Sequence, residues 1–280
     1  MKIVHVLLIA VLFTTTTCGG DEVSDACPVD GCEVMVYSDI AYADGRNLDV
    51  YAPAGSGRWP VVVVVHGIGQ SRLDVATLAE SIAGHGAVVF NISASFSVPP
   101  LDGINQIACA LRFARARATD HGGETGTITL VGNSSGAAKG SIVAMDGEAY
   151  GEACAEPDGS ALPDAFVGYE GPYDYATHLY GSFAVPELRE TNPEVWEAVD
   201  PYSHIGGNQE LVVRLVHGRD ADTAWYDVPP EVSAEFSEAL SAAGYDVAVT
   251  YVEGATHGSL LTESDAFDVT VETVIDVARG

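Results

Sequence analysis

Lysine is almost missing from this 280-residue chain: only Lys2 and Lys139 occur, and the basic residues total 12 against 40 acidic ones. The formal net charge at pH 7 is −28. Such a polyanion repels phosphate backbones and anionic lipid surfaces, which excludes nucleic acid and bare membrane as partners. Two origins of the acidity stay open: solubility in high salt, where screening removes the self-repulsion, or an acidic exported protein of no special habitat. Cysteine is scarce as well. There are five, and no two stand at Cys-x-x-Cys spacing, which argues against a structural zinc site. No metal and no cofactor is expected. Internal repeats are lacking, and no break in composition marks a second domain. What remains is an ordinary globular composition, 47% hydrophobic, in a chain long enough for one well-buried core.

Residues 1–17 carry one lysine, an apolar run too short to span a bilayer, and then Thr14–Thr17. This is the pattern of a signal peptide rather than a membrane helix. Cys18 follows directly, with loose, polar Gly19–Glu22 after it, and this resembles a bacterial lipoprotein signal in which the cysteine becomes the lipidated N-terminus. Thr15–Thr17 depart from that motif, so lipidation at Cys18 and simple secretion both stay open. Export is expected either way, to the cell surface, the periplasm or the medium, with membrane contact only through such an anchor. Residues 18–32 read as a tether. Cys27 and Cys32 flank a Pro-Val-Asp-Gly turn and are placed to close a small loop, which fits an oxidising compartment.

From residue 33 the pattern is that of one folded domain to residue 280. Glu33–Tyr42 and Asn47–Tyr51 alternate apolar and polar around Asp44-Gly45, which predicts an antiparallel hairpin. Val61–Val65 is five valines in a row, expected of a strand buried on both faces. Strands are also predicted over 87–92, 165–169, 211–216 and 247–252. Helices are predicted over 73–83, 101–119, 232–243 and 266–278, the second with Arg112, Arg115 and Arg117 mostly outside. The alternation predicts a mostly parallel, mixed α/β sheet with helices on both faces. Residues 172–207, rich in Tyr, Pro and Glu, read as an irregular insertion and a candidate partial lid.

Between two of these elements stands Thr127-Ile-Thr-Leu-Val-Gly-Asn-Ser-Ser-Gly-Ala-Ala138. A β-branched strand runs into Gly132-Asn133-Ser134-Ser135-Gly136 and then into a small-residue helix start. Gly-x-Ser-x-Gly in that setting is the nucleophile elbow, which needs small residues where strand and helix crowd together. With it go Asn47-Leu-Asp-Val-Tyr-Ala-Pro53, Pro60-Val-Val-Val-Val-Val-His-Gly67, Leu111-Arg-Phe113, Gly168-Tyr-Glu-Gly-Pro-Tyr-Asp174, Leu215-Val-His-Gly218 and Gly254-Ala-Thr-His-Gly258. In this order the set resembles the bacterial α/β-hydrolase esterases, in the branch of small carboxylesterases and feruloyl-type esterases, across residues 33–280.

The resemblance implies an α/β-hydrolase fold and a Ser-acid-His order of catalytic residues. Ser134 is the candidate nucleophile and His257 its base. The acid is expected on the loop after the 211–216 strand, where the family places aspartate four residues beyond the histidine. That position is Ala221, so Asp222 is preferred and Asp220 is the alternative, with Glu170 and Asp174 more distant choices. Oxyanion donors are expected from the N–H groups of Ser135 and Ile68, with Gly69 as the alternative to Ile68. Ile68 stands where the family's longer His-Gly-Gly-Gly form has glycine. Tyr169, Trp225 and Tyr226 are candidates for the substrate pocket, or are simply core. His66 and His217 precede glycine at strand ends and are read as loop organisers. In a hydrolase fold Cys109 and Cys154 come to the same sheet face, so a second disulfide is expected, unless both are buried thiols. The expected activity is hydrolysis of a small acyl or aryl ester through an acyl-enzyme. A peptidase or acyltransferase with the same triad, and a non-catalytic binding protein on this scaffold, are the alternatives.

Overall fold

The valine run lies at the heart of the molecule. In the computed structural model, which describes residues 27, 31–55, 57–96, 101–151, 153–174, 186–220, 228–262 and 265–280, the third strand β3 (Trp59–Val65) is interior to an eight-stranded sheet. Val61, Val63 and Val65 enter one apolar core while Val62 and Val64 enter the other. That is the period-2 alternation of a strand covered on both sides.

The remaining strands are β1 (Val34–Ala43), β2 (Arg46–Pro53), β4 (Val88–Ile92), β5 (Gly123–Asn133), β6 (Ala165–Tyr169), β7 (Val212–Gly218) and β8 (Asp246–Val252). Their order across the sheet is β1-β2-β4-β3-β5-β6-β7-β8. The hairpin β1–β2 and the β2–β4 pair are antiparallel, and every later pair is parallel. Helices α1 (Ala76–Gly84) and α7 (Asp265–Arg279) cover one face, packing Leu78, Ile82, Phe267, Val271 and Val274 onto the even valines. Helices α2 (Leu101–Arg117), α3 (Ser135–Asp146) and α6 (Pro230–Ala242) cover the other, with Ile104, Ile107, Ile142 and Phe236 in the larger core. This is the mixed, doubly covered sheet of an α/β-hydrolase fold, with the carboxyl ends of its parallel strands on one edge.

Two local expectations need correction. Arg112 is not outside: it is 7% exposed. Its guanidinium donates to the carbonyls of Gly159 and Tyr150 and pairs with Glu148. Arg115 reaches the Ser160 and Leu162 carbonyls. The segment after α3 folds back over α2 and brings oxygens that a helix surface alone would lack. The Cys109–Cys154 disulfide joins the same two pieces, and Cys27–Cys32 closes its own small loop. The insertion, read as irregular, contains two short helices, α4 (Pro186–Thr191) and α5 (Pro193–Val199), and a 3₁₀ turn at Pro201–His204. Asn192 caps α5 by accepting from the Val195 N–H, with Pro193 at the first helical position. Six and seven residues are too few for an amphipathic period to stand out. The predicted leader, Cys18 and residues 175–185 lie outside the described residues.

Candidate active site

Strand β5 ends at Asn133 and α3 begins at Ser135, so Ser134 alone makes the turn. Its backbone stands at φ 52 and ψ −124, a strained position for a residue with a side chain. The conformation is held: the Ser134 N–H donates to the Tyr169 carbonyl at 2.8 Å, and its own carbonyl accepts from Ala137. The flanking glycines answer to space. A Cβ on Gly132 would lie 2.6 Å from the Ala137 Cα, and one on Gly136 would lie 2.4 Å from the His66 carbonyl oxygen. The strand can turn into the helix this tightly only with no side chain at either position.

The loop after β3 passes directly over the serine. A Cβ on Gly67 would come within 3.1 Å of the Ser134 Cβ. Gln70 ties this loop to the elbow, because its Oε1 accepts from the Gly67 N–H at 2.9 Å and from the Asn133 side-chain amide at 3.1 Å. From below, His66 holds the loop's start. Its Nδ1 meets the Gly67 carbonyl at 2.7 Å and its Nε2 meets the Ala94 N–H at 3.2 Å. A carbonyl only accepts and an amide only donates, so this imidazole carries its proton on Nδ1 and is neutral. Burial holds its pKa below the ordinary histidine value. Ile68 lines the cleft beside Ser134, while Gly69 sits at the turn beyond with φ 74. The Ser135 N–H is the first of α3, where the helix end favours negative charge.

His257 follows β8 and is 9% exposed. Its Nδ1 is bonded to Oε2 of Glu170, a short contact between two buried groups. A carboxylate accepts, so the ring proton sits on Nδ1 and Nε2 is left as the basic nitrogen. Glu170 directly follows β6, at φ 43 and 2% exposed. Its other oxygen accepts from the Gly218 N–H at 2.7 Å, and its own N–H donates to the Val216 carbonyl at 3.1 Å. The carboxylate is thus fixed at both oxygens.

Among the described residues, the carboxylate on the imidazole therefore comes one strand earlier than the loop after β7. Asp220 is exposed there, its N–H donating to the Ala255 carbonyl, and it is not the residue found on Nδ1. Asp222, Trp225 and Tyr226 lie outside the described residues. Tyr169 is no pocket residue: it is fully buried and its hydroxyl donates to the Thr270 carbonyl under α7. Asp174 lines a separate cleft with Arg189, Trp196 and Tyr202. His217 organises its loop, with Nε2 donating to the Val228 carbonyl and Nδ1 facing the Ser233 hydroxyl. A signal for Glu170 was present in the chain, as an acidic residue at the carboxyl end of a buried strand and followed by glycine.

Ser134 and His257 line one cleft of roughly 440 Å³ with Ile68, Gln70, Asp74, Asn133, Leu261 and Thr262. None of the described residues of the insertion lines it. Five residues beyond the serine, Lys139 is 5% exposed. Its Nζ donates to the Ser95 carbonyl at 3.2 Å and lies 4.7 Å from the Phe96 ring centre. Burial lowers its pKa to about 8. Among the described residues no group of three His, Cys, Asp or Glu side chains is placed to hold a metal ion.

No family model and no curated protein matches the chain by sequence. Solved structures do. A thermophilic esterase from the planctomycete Thermogutta terrifontis, solved with butyrate bound, is 25% identical with a TM-score of 0.66, over 88% of this chain and 93% of that one. A truncated carbohydrate esterase from gut microbiota is 20% identical with a TM-score of 0.68, over 91% and 100%. A bifunctional GH43-CE protein of Bacteroides eggerthii is 24% identical with a TM-score of 0.68, over 93% of this chain and 36% of that one. The similarity establishes the fold: this chain has the architecture of those esterases.

Proposed function

We propose that the protein is a serine carboxylesterase acting through Ser134, His257 and Glu170. The observation that carries this is the convergence of a strained elbow serine and a carboxylate-bound imidazole on one cleft. Glu170 holds the ring with Nε2 basic and stabilises the imidazolium once it forms. Nε2 removes the proton of Ser134 as its oxygen attacks the ester carbonyl. The N–H groups of Ser135 and Ile68 receive the developing oxyanion, which they can do without reorganising. The imidazolium then protonates the departing alcohol, and water repeats the cycle on the acyl-enzyme.

The T. terrifontis esterase with bound butyrate supports a short acyl group as the substrate. Two disulfides and the leader-like first 17 residues support export, either free or anchored through Cys18. Replacement of Ser134 by alanine tests the reaction. On p-nitrophenyl acetate and butyrate kcat should fall by several orders of magnitude, with a fluorophosphonate labelling the wild type and not the variant. A loss of only a few-fold is incompatible with a serine acyl-enzyme.

A further inference from the structure

Asp74 places a fixed negative charge in the cleft, and no described lysine or arginine of the wall answers it. Asp74 lies in its wall and is exposed. The carboxylate is not a loosely hinged surface group, because Oδ2 accepts from both the N–H of Ser71 at 2.7 Å and its hydroxyl at 2.9 Å. Those two bonds hold its pKa below the ordinary aspartate value. The other oxygen takes no hydrogen bond within the described residues. No lysine or arginine is among the described residues of the cleft wall. Arg72 stands in the same loop, but its guanidinium is committed to Asp39, Asp49 and the Ser93 hydroxyl. The other polar side chains of the described wall are those of Gln70, Asn133, Ser134 and Thr262 and the imidazole of His257, which is paired with the Glu170 carboxylate.

From this arrangement we propose that Asp74 is a specificity-determining residue: the cleft selects uncharged and cationic esters and rejects esters that carry a carboxylate near the scissile bond. The inference rests on the esterase reading above and adds the class of substrate to it. The physics is the interaction of two unit charges across a partly wet cleft, attractive for an ammonium and repulsive for a carboxylate. The molecule's overall charge acts in the same direction, but it reaches every substrate from all sides. A single-residue change leaves that background almost intact, so a comparison of variant with wild type isolates Asp74.

Two matched substrate series make the test, at about 0.1 M salt, where the screening length is about 10 Å. In one, the leaving group carries the charge: acetylthiocholine, its uncharged isostere 3,3-dimethylbutyl thioacetate, and S-acetyl-3-mercaptopropionate. In the other, the acyl chain does: p-nitrophenyl butyrate and its 4-trimethylammonium and 4-carboxylate analogues. Asp74→Asn should lower the cation-to-anion ratio of kcat/KM by about three- to tenfold in at least one series. Asp74→Lys should lower it further. A ratio within twofold of wild type in both series, for both variants, overturns the role of Asp74 while the esterase reading stands. Hydrolysis of none of the six compounds by any form, with no labelling of Ser134, overturns both.

Discussion

Glu170 shows how the geometry of the candidate site is written one residue at a time. The peptide bends at φ 43 as it leaves β6, so the side chain runs along the sheet edge rather than out into water. There it meets the Gly218 N–H and the imidazole of His257. The strand–turn–helix at Ser134 was legible in the sequence because crowding at the turn demands local small residues. The residue on Nδ1 was only faintly legible, because the one local mark of Glu170, its place at a strand end before glycine, does not by itself rank it above Asp220 or Asp222. Only the convergence of β6, β7 and the loop after β8 does. Glu170→Gln should lower kcat/KM on p-nitrophenyl acetate by about 10³–10⁴, in line with replacement of a triad acid elsewhere. Asp220→Asn should stay within about threefold, since Asp220 is exposed and surface substitutions usually perturb little; with Glu170 as the acid, Asp222→Asn should stay in the same range. A larger loss at Asp222 would return the acid to the loop after β7.

At the level of elements, the loop after β3 is the part that must be still. Gln70 ties it to the elbow and His66 ties it to the start of the loop after β4. The Nε2 bond of His66 requires a neutral ring: protonation would set an N–H against the Ala94 N–H, while the Nδ1 bond to the Gly67 carbonyl would survive. Because the folded pKa lies below the unfolded value near 6.5, the unfolded chain binds more protons in the window between them. The contribution of His66 to stability is therefore complete above pH 6.5 and is lost as pH falls through that window. Between pH 7 and pH 5 the unfolding free energy of the wild type should drop more than that of His66→Gln, read from urea midpoints at each pH. Equal slopes would show that the ring plays no such part. Strand and helix positions came from periodicity because each long element buries a stripe. The short α4 and α5 have too few residues for the pattern to be seen, and the Asn192 cap with Pro193 at the start of α5 was the readable trace.

Across the whole molecule, few positive charges face many negative ones. Several of the arginines are already bound to carboxylates or backbone carbonyls, as at Arg72, Arg112, Arg115, Arg117 and Arg214. The surplus of acid is thus left to repel itself, and its cost falls as salt shortens the screening length from about 10 Å at 0.1 M to about 3 Å at 1 M. The melting temperature should rise by several degrees between 0.05 and 1 M sodium chloride, about 2–4 °C for each kcal/mol recovered. A flat curve would assign the acidity to solubility alone.

Lys139, wedged between Ser95 and the Phe96 ring, has a practical corollary. Beyond Lys2 it is the only lysine in the chain, and it is almost wholly screened from solvent. Among the described residues, reagents that couple to primary amines will therefore find hardly any accessible target. Such reagents leave the candidate active-site face unmodified. Acylation of Lys139 itself then serves as an internal clock, recording how often α3 parts from the loop that covers it.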